Sequence, residues 1–417
     1  MSENWQPRQL SSLGRYINGY AFKPHHWVSE GLPIVRIEQL NKPDGEYDFC
    51  SIVVPADNVI DDGDLIFSWS ATLKVVLWRH GKAALNQHLF KVLPGPDTDK
   101  GFLFQLLDHH MEALAGGAHG STMKHIKRSE LDKYVVNVPK RDEQATIARI
   151  LSTLDAQIEA TEGLIAKHER VRTGLVQDLF TRGVDEHGQL RPPPHQAPHL
   201  YHRTELGLLP AGWGAGRLLD LTTRIVDGVH HTPNYVTHGV PFLTVKSLTA
   251  GRGIDTKQCN FITLSDHRIF QARADPRNGD VLVSKDGTLG VARFVDESIE
   301  EFSIFVSVAM IRPIGNILYP RFLCEFFNTQ FYERQMAYLS AGSGLKHIHL
   351  EHFRKFVLPL PDKSEQVAIM GILESADKSI LEMENSLQKL RLQKSGLMQD
   401  LLTGKVSVVP SMKVVPA

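Results

Sequence analysis

Apolar residues recur at Ile147, Leu151, Leu154, Ile158 and Ile165, then at Leu175 and Leu179, within a stretch from Arg141 to Thr181. A second series, Ile369, Leu373, Ala376, Ile380, Met383, Leu387, Leu390, Leu397 and Leu401, runs from Ser364 to Leu402. Alternating steps of three and four predict amphipathic helices with a heptad seam. Each stretch would span roughly 60 Å at 1.5 Å per residue. A helix of that length needs a partner for its stripe, and the other copy is the nearest at hand. Thr161, His168 and Arg172 interrupt the first seam, so its C-terminal half is expected to pack differently.

Before each helix lies a region of short strand-like runs, rich in β-branched residues and bounded by Gly, Pro, Asn or Asp. In the first half these are 31–40, 63–69, 88–93 and 133–139. Their counterparts are 239–248, 279–290, 305–313 and 355–361, at offsets of 208, 216, 219 and 222. From Gly120 and Gly342 onward the offset stays at 222, through QDLF at Gln177 and QDLL at Gln399. A period this long is not a solenoid, whose repeats run from about 20 to 50 residues. It is a duplicated module, and it implies two similar surfaces about a pseudo-twofold axis.

The expected division is a first module at 1–139, a first helix at 140–182, a linker at 183–212, a second module at 213–361, a second helix at 362–404 and a tail at 405–417. The linker is rich in Pro, His and Gly and has no periodicity. The fold class is α+β: two homologous mixed modules separated by two long helices.

Composition narrows the class without deciding it. Hydrophobic residues are 42% and charged residues 22% of the 417, ordinary for a globular chain with room for two cores. No run of 18 apolar residues suggests a membrane span, and the polar N-terminus lacks a signal-peptide core. Cys50, Cys259 and Cys324 are scattered, which fits a reducing cytoplasm better than disulfides or zinc. A net charge of −1 does not point to nucleic acid, although a basic patch can coexist with acidic helices.

No phosphate-binding loop, zinc-protease helix, nucleophile elbow or dinucleotide fingerprint is present. Nor is there the N/D-P-P-aromatic tetrapeptide of amino-methyltransferases. Adjacent histidine pairs (His25-His26, His109-His110, His230-His231) would point to opposite faces of a strand, which disfavours a metal site.

Three paired features suit nucleic acid instead. In the first, the loops at Gly120 and Gly342 supply flexible backbone, Lys124 with His125, and Lys346 with His347; Lys127 and Arg128 extend the first patch. A capped turn with solvated lysines is the competing reading. The second pair comprises the early loops carrying Tyr20 and Lys23, and His230, His231 and Thr232. Tyr20 and Phe22 could equally be core. The third is two strand ends of common pattern G-D-φ-φ-φ-S, after which Trp69, Ser70 and Thr72 in one copy replace Lys285, Asp286 and Thr288 in the other. Matching scaffolds with different tips suit two different half-sites.

The chain resembles the specificity subunits of Type I restriction-modification systems. P-x-x-x-E-Q-x-x-I-x-x-I-L at 139–151 and 361–373, GLLPAGW before the second module, 227–248 and NGYAFK at 18–23 carry the likeness. It covers essentially the whole chain, although the N-terminus lacks a GLLPAGW-like lead. The resemblance implies that each module is a target recognition domain and that the helices form an antiparallel coiled coil. It implies double-stranded DNA, two methyltransferase subunits and restriction/translocase subunits as partners, and no membrane. It also implies no catalysis and no cofactor in this chain, with S-adenosylmethionine held by the methyltransferase partners. A degenerate self-contained DNA-modifying enzyme, or a coiled-coil scaffold without DNA specificity, are the alternatives.

Overall fold

The structure, a computed structural model, describes residues 5–70, 72–116, 126, 128–340 and 346–408. The chain divides into two units: Met1–Leu164 with Met383–Ala417, and Ile165–Glu382. Each long helix, Arg141–Arg182 and Lys363–Leu401, therefore contributes its first part to one unit and its last part to the other.

In the first unit, strand Gln6–Gln9 pairs antiparallel with Val135–Val138, Gln6 facing Val138. A four-stranded sheet follows the order Gly14–Asn18, Leu89–Pro94, Leu65–Ser68, Lys74–Leu77. A five-stranded sheet follows the order Trp27–Val28, Asp48–Cys50, Leu32–Val35, Ala83–Leu85, Val59–Ile60, with Val35 and Leu85 in a parallel pair.

The second unit repeats the plan. Gly214–Arg217 pairs with Val357–Leu360, Gly214 facing Leu360. Its four-stranded sheet is Thr222–Asp227, Val308–Pro313, Val281–Ser284, Ala292–Phe294. A smaller three-stranded sheet holds Asn260–Ile262, Val240–Leu243 and Ser303–Ile304, with Leu243 parallel to Ile304. The strand registers thus keep the sequence offsets.

Two expected strands are shorter than their apolar runs. Leu32–Val35 and Val240–Leu243 each hand over to a single helical turn, Ile37–Asn41 and Val245–Thr249. The reason is local. The amide of Arg36 donates to Oε1 of Gln39 at 3.1 Å, and that of Thr244 to Oγ of Ser247 at 3.4 Å, so each turn is closed by a side chain three residues on.

The seam is also divided differently from expectation. Ile147 and Leu151 are fully buried in the first unit's core with Phe102, Leu103 and Leu106, and Leu397 packs against the same cluster. Ile369 and Leu373 are fully buried in the second unit's core, where Leu175, Val176, Leu179 and Phe180 also pack. The helix ends thus serve domain cores. Leu154, Ile380 and Leu387 are buried near mid-helix, and Ile158, Ile165, Met383 and Leu390 are half-buried. Antiparallel direction is fixed within the first unit by Glu162–Arg391 and Asp155–Lys394, since numbers rise on one helix as they fall on the other.

Arg172, which breaks the first heptad series, has a specific role. Its guanidinium donates two bonds to Glu325 and two to Asp377, at 2.6–2.9 Å, all within the second unit. In the first unit Lys394, 222 residues on, bonds Asp155 at 2.6 Å, while Gln105 donates to the same carboxylate at 2.5 Å. Gln105 stands where the second unit has Glu325, three residues after the buried Phe102 and Phe322 respectively.

The repeated Glu-Gln motif is structural. Gln144, at the root of the first helix, accepts from the amide of Asp99 at 2.8 Å and donates to the carbonyls of Asp97 and Pro139. Gln366 does the same with the amide of Tyr319 and the carbonyls of Ile317 and Pro361. Both glutamines are buried. Glu365 collects Arg191, the indole of Trp213 at 2.9 Å and the amide of Val184 at 2.8 Å.

That last cluster reaches into the segment expected as a linker. Residues 183–212 are ordered: Gly183 turns with φ +60°, Arg191 reaches Glu365, and Tyr201–Thr204 pairs with Gly207–Pro210. Any Cβ at Gly183 would meet Glu365, Trp213 and Arg191 within 2.5 Å. Close approach to the clamp, rather than flexibility, requires glycine there.

Candidate nucleic-acid interface

The strand-end turns are built identically in the two units. Oγ of Ser68 donates to the carbonyl of Thr72 at 2.6 Å, and Oγ of Ser284 to that of Thr288 at 2.5 Å. The amide of Ile126 donates to the carbonyl of Trp69 at 2.9 Å, and that of Ile348 to Lys285 at 2.8 Å. The chain leading into the short helix at 128 or 350 is thus pinned to the strand tip in both copies. Gly19 and Gly228 lie in the adjoining loops, where a Cβ would come within 2.7 Å of the backbone at Leu85 and Asn86, or at Ile304 and Phe305.

What the common scaffold carries differs. In the first unit the half-buried Trp69 stands 5.8 Å from the ring of Phe90 and 6.1 Å from His88. Tyr20 is half-buried beside Phe22, 5.0 Å between rings, on the cluster of Ile34, Cys50 and Val54. Its ring is partly core, which departs from the expectation of a fully exposed contact. Ser70 is buried, also unlike an exposed reader, whereas Lys23 and Thr72 are exposed. Lys124, His125 and Lys127 lie outside the described residues. Arg128 opens the helix Arg128–Lys133.

In the second unit the corresponding place is ionic. Lys285, expected to be an exposed reader, is only 3% exposed and its Nζ lies 3.2 Å from Oδ2 of Asp227. A lysine buried at a strand tip needs a counter-charge, and Asp227, equally buried, supplies it. Nζ of Lys285 also donates to Nε2 of His347 at 3.4 Å, and Nδ1 of His347 donates to Asp286.

Oδ1 of Asp227 receives Arg273 as well, and His230 stands 3.2 Å away. Burial pushes the Asp227 carboxyl up, but Arg273, His230 and Lys285 outweigh that and hold it below the usual carboxylate range. The structure therefore gathers His230, Lys285 and His347 into one network, with His231, Thr232, Thr288 and Lys346 exposed around it. Asp227 and Arg273 were not singled out from the sequence. Asp227 was visible only as the acid where the first module has Asn18, and Arg273 lies in a segment the repeat does not cover.

Among the described residues no three His, Cys, Asp or Glu side chains gather to hold a metal ion, and no helix is long and apolar enough to cross a membrane.

The model of the Type I restriction modification DNA specificity domain matches residues 2–170 and 233–392, once on each repeat. The chain belongs to this family. It is 22% identical over 419 residues to the Type I restriction enzyme EcoBI specificity subunit of Escherichia coli, covering 97% of this chain and 87% of that one. The MjaVIII specificity subunit of Methanocaldococcus jannaschii is 20% identical over 424 residues, covering 97% and 94%. Among solved structures, the S subunit from M. genitalium aligns with a TM-score of 0.55 at 16% identity over 96% of this chain and 97% of that one. At that identity the likeness establishes the fold. As a Type I specificity subunit, the chain carries its two family matches on the two halves that share strand order and register.

Proposed function

We propose that this chain is the DNA-reading, non-catalytic subunit of a Type I restriction-modification complex. Each unit reads one half of a bipartite, asymmetric double-stranded target. The chain positions two methyltransferase subunits, which hold S-adenosylmethionine, and restriction/translocase subunits join them in the cytoplasm. The observation that carries this reading is one strand-tip scaffold, hydrogen-bonded identically in both units, bearing Trp69 in one and Lys285 with Asp227 in the other. A scaffold without DNA specificity has no use for such divergence on a conserved turn.

The direct test is methylation mapping of DNA modified by the reconstituted complex. The expected motif has two short defined parts and a non-specific gap, about one helical turn between half-site centres. Exchanging residues 213–360 for another module should change one part and keep the other. A continuous palindrome, or a motif unchanged by the exchange, overturns the reading. Inserting four residues near Ala160 adds about 6 Å of helix and some 40° of rotation. It should change the gap or abolish binding while leaving the bases of both parts as they were.

A further inference from the structure

The second unit contains a helix, Leu264–Gln271, with no counterpart in the first. In the first unit the stretch between Cys50 and Leu65 holds only the turn Ala56–Asn58 and strand Val59–Ile60. The extra helix is firmly seated. Thr263 caps it by accepting from the amide of Asp266 at 3.0 Å, and the buried His267 meets Oγ of Ser303 at 2.9 Å. Phe270 is buried beside Phe242. Two residues past its end, Arg273 returns to the strand-tip network.

Arg273 is held on one edge and open on the other. Nε donates to the carbonyl of Gly228 at 2.7 Å, and Nη2 donates to Oδ1 of the buried Asp227. Nη2 also lies 2.7 Å from Nε2 of His230. The side chain nevertheless remains 45% exposed. It borders a cleft shared with His230, His231, Ile269 and Arg354. The bonds to Gly228 and the buried Asp227 set the guanidinium plane, and neither uses Nη1.

We infer that Arg273 is a specificity-determining residue that reads a guanine in the half-site of the second unit, with Asp227 as its positioning residue. The inference rests on the DNA-reading function proposed above. The N–H donors of Nη1, the nitrogen left out of those contacts, suit the paired acceptors O6 and N7 of guanine in the major groove. The adjoining carboxylate argues against a phosphate role. Asp227 offsets the charge that attracts a phosphate, while it improves the orientation on which a bidentate base contact depends. Placement just after an unrepeated helix restricts the contact to one half-site.

The test uses the complete complex with its methyltransferase subunits and a set of duplexes, each changed at one base pair of the mapped target. Arg273→Ala should reduce discrimination at one G·C pair in the half-site set by residues 213–360 by at least about tenfold. Discrimination across the other half-site should be unchanged, which also reports that the complex has assembled. Arg273→Lys keeps the charge but loses the separate bonds to Gly228 and Asp227 that aim the free nitrogen, and should lose the same preference. It decides the matter if the alanine variant fails to assemble. Unchanged preference in the lysine variant, or uniform weakening with a salt slope lower by about one, overturns the inference. So does a wild-type motif without guanine in that half. A wild-type complex with no bipartite motif would sink the function proposed above instead.

Discussion

The two units solve the same folding problem with different chemistry. At the strand tip the first uses an aromatic group, Trp69 over Phe90, and the second an ion pair, Lys285 on Asp227. Deeper in, Lys394 and Gln105 meet one aspartate in the first unit, where Arg172 meets a glutamate and an aspartate in the second. At the helix root the second unit ties Trp213 to Glu365, whereas Nε1 of Trp5 is buried with no partner among the described residues. Hydrogen bonds to backbone are kept in register between copies, while side-chain pairs drift toward charge in the second. Backbone geometry is thus what the duplication holds fixed, and polar side chains are where the halves have been free to diverge.

The contrast can be broken hardest at the helix root. Glu365→Ala leaves Arg191 facing a vacated acceptor and should cost about 3–5 kcal/mol. Glu143→Ala, whose carboxylate accepts from Ser407 at 3.3 Å, should cost about 1 kcal/mol. Denaturant unfolding of the two variants checks the ratio, and equal losses would show that the roots are equivalent after all. Next comes the inner pair. Arg172→Ala should destabilise by about 2–3 kcal/mol because Glu325 is only 9% exposed, and Lys394→Ala by about 1 kcal/mol because its partners are 32–42% exposed.

At the tips the expected effect is on recognition. Trp69→Ala should weaken preference in the half-site set by residues 1–139 by about 1–2 kcal/mol and spare the other, measured by competition binding of the whole complex. The smallest effect concerns acid. His110, which contacts the hydroxyl of Tyr134 at 3.0 Å, is lowered to about 4, chiefly by burial and then by His109. Its folded value lies below the unfolded 6.5, so the unfolded chain binds more protons between these limits. Stability in this window rises with pH and is lost as pH falls toward 4. His110→Gln should flatten the pH dependence of the melting temperature there.

Much of this was legible in the chain. Short β-branched runs bounded by Gly, Pro, Asn or Asp placed the sheet strands at 63–69, 88–93 and 133–139 and their copies, and the heptad steps placed both long helices. The motif around Glu143 and Glu365 was visible, but its meaning was not. The partners of Gln366, at residues 317, 319 and 361, follow no local spacing. Lys285 looked like a free cation because its counter-ion lies 58 residues upstream, and periodicity cannot pair residues across a sheet. Arg273 was missed for the opposite reason. Repeat comparison finds what two copies share, and the helix that precedes Arg273 exists once.

The buried glutamines at the helix roots have a mechanical consequence. A single hydrogen bond would let a helix pivot about its first turn. Gln144 and Gln366 each bridge three backbone groups on two sides of the helix start, so neither root is a swivel. Within each unit a torque on the emerging arm reaches the recognition sheets without slack at the joint. Within each unit, any turning of the arm must then be borne by elastic twist along the helix segment itself. The stiffness of that segment, rather than the freedom of a hinge, sets how far the arm can turn against its own sheets.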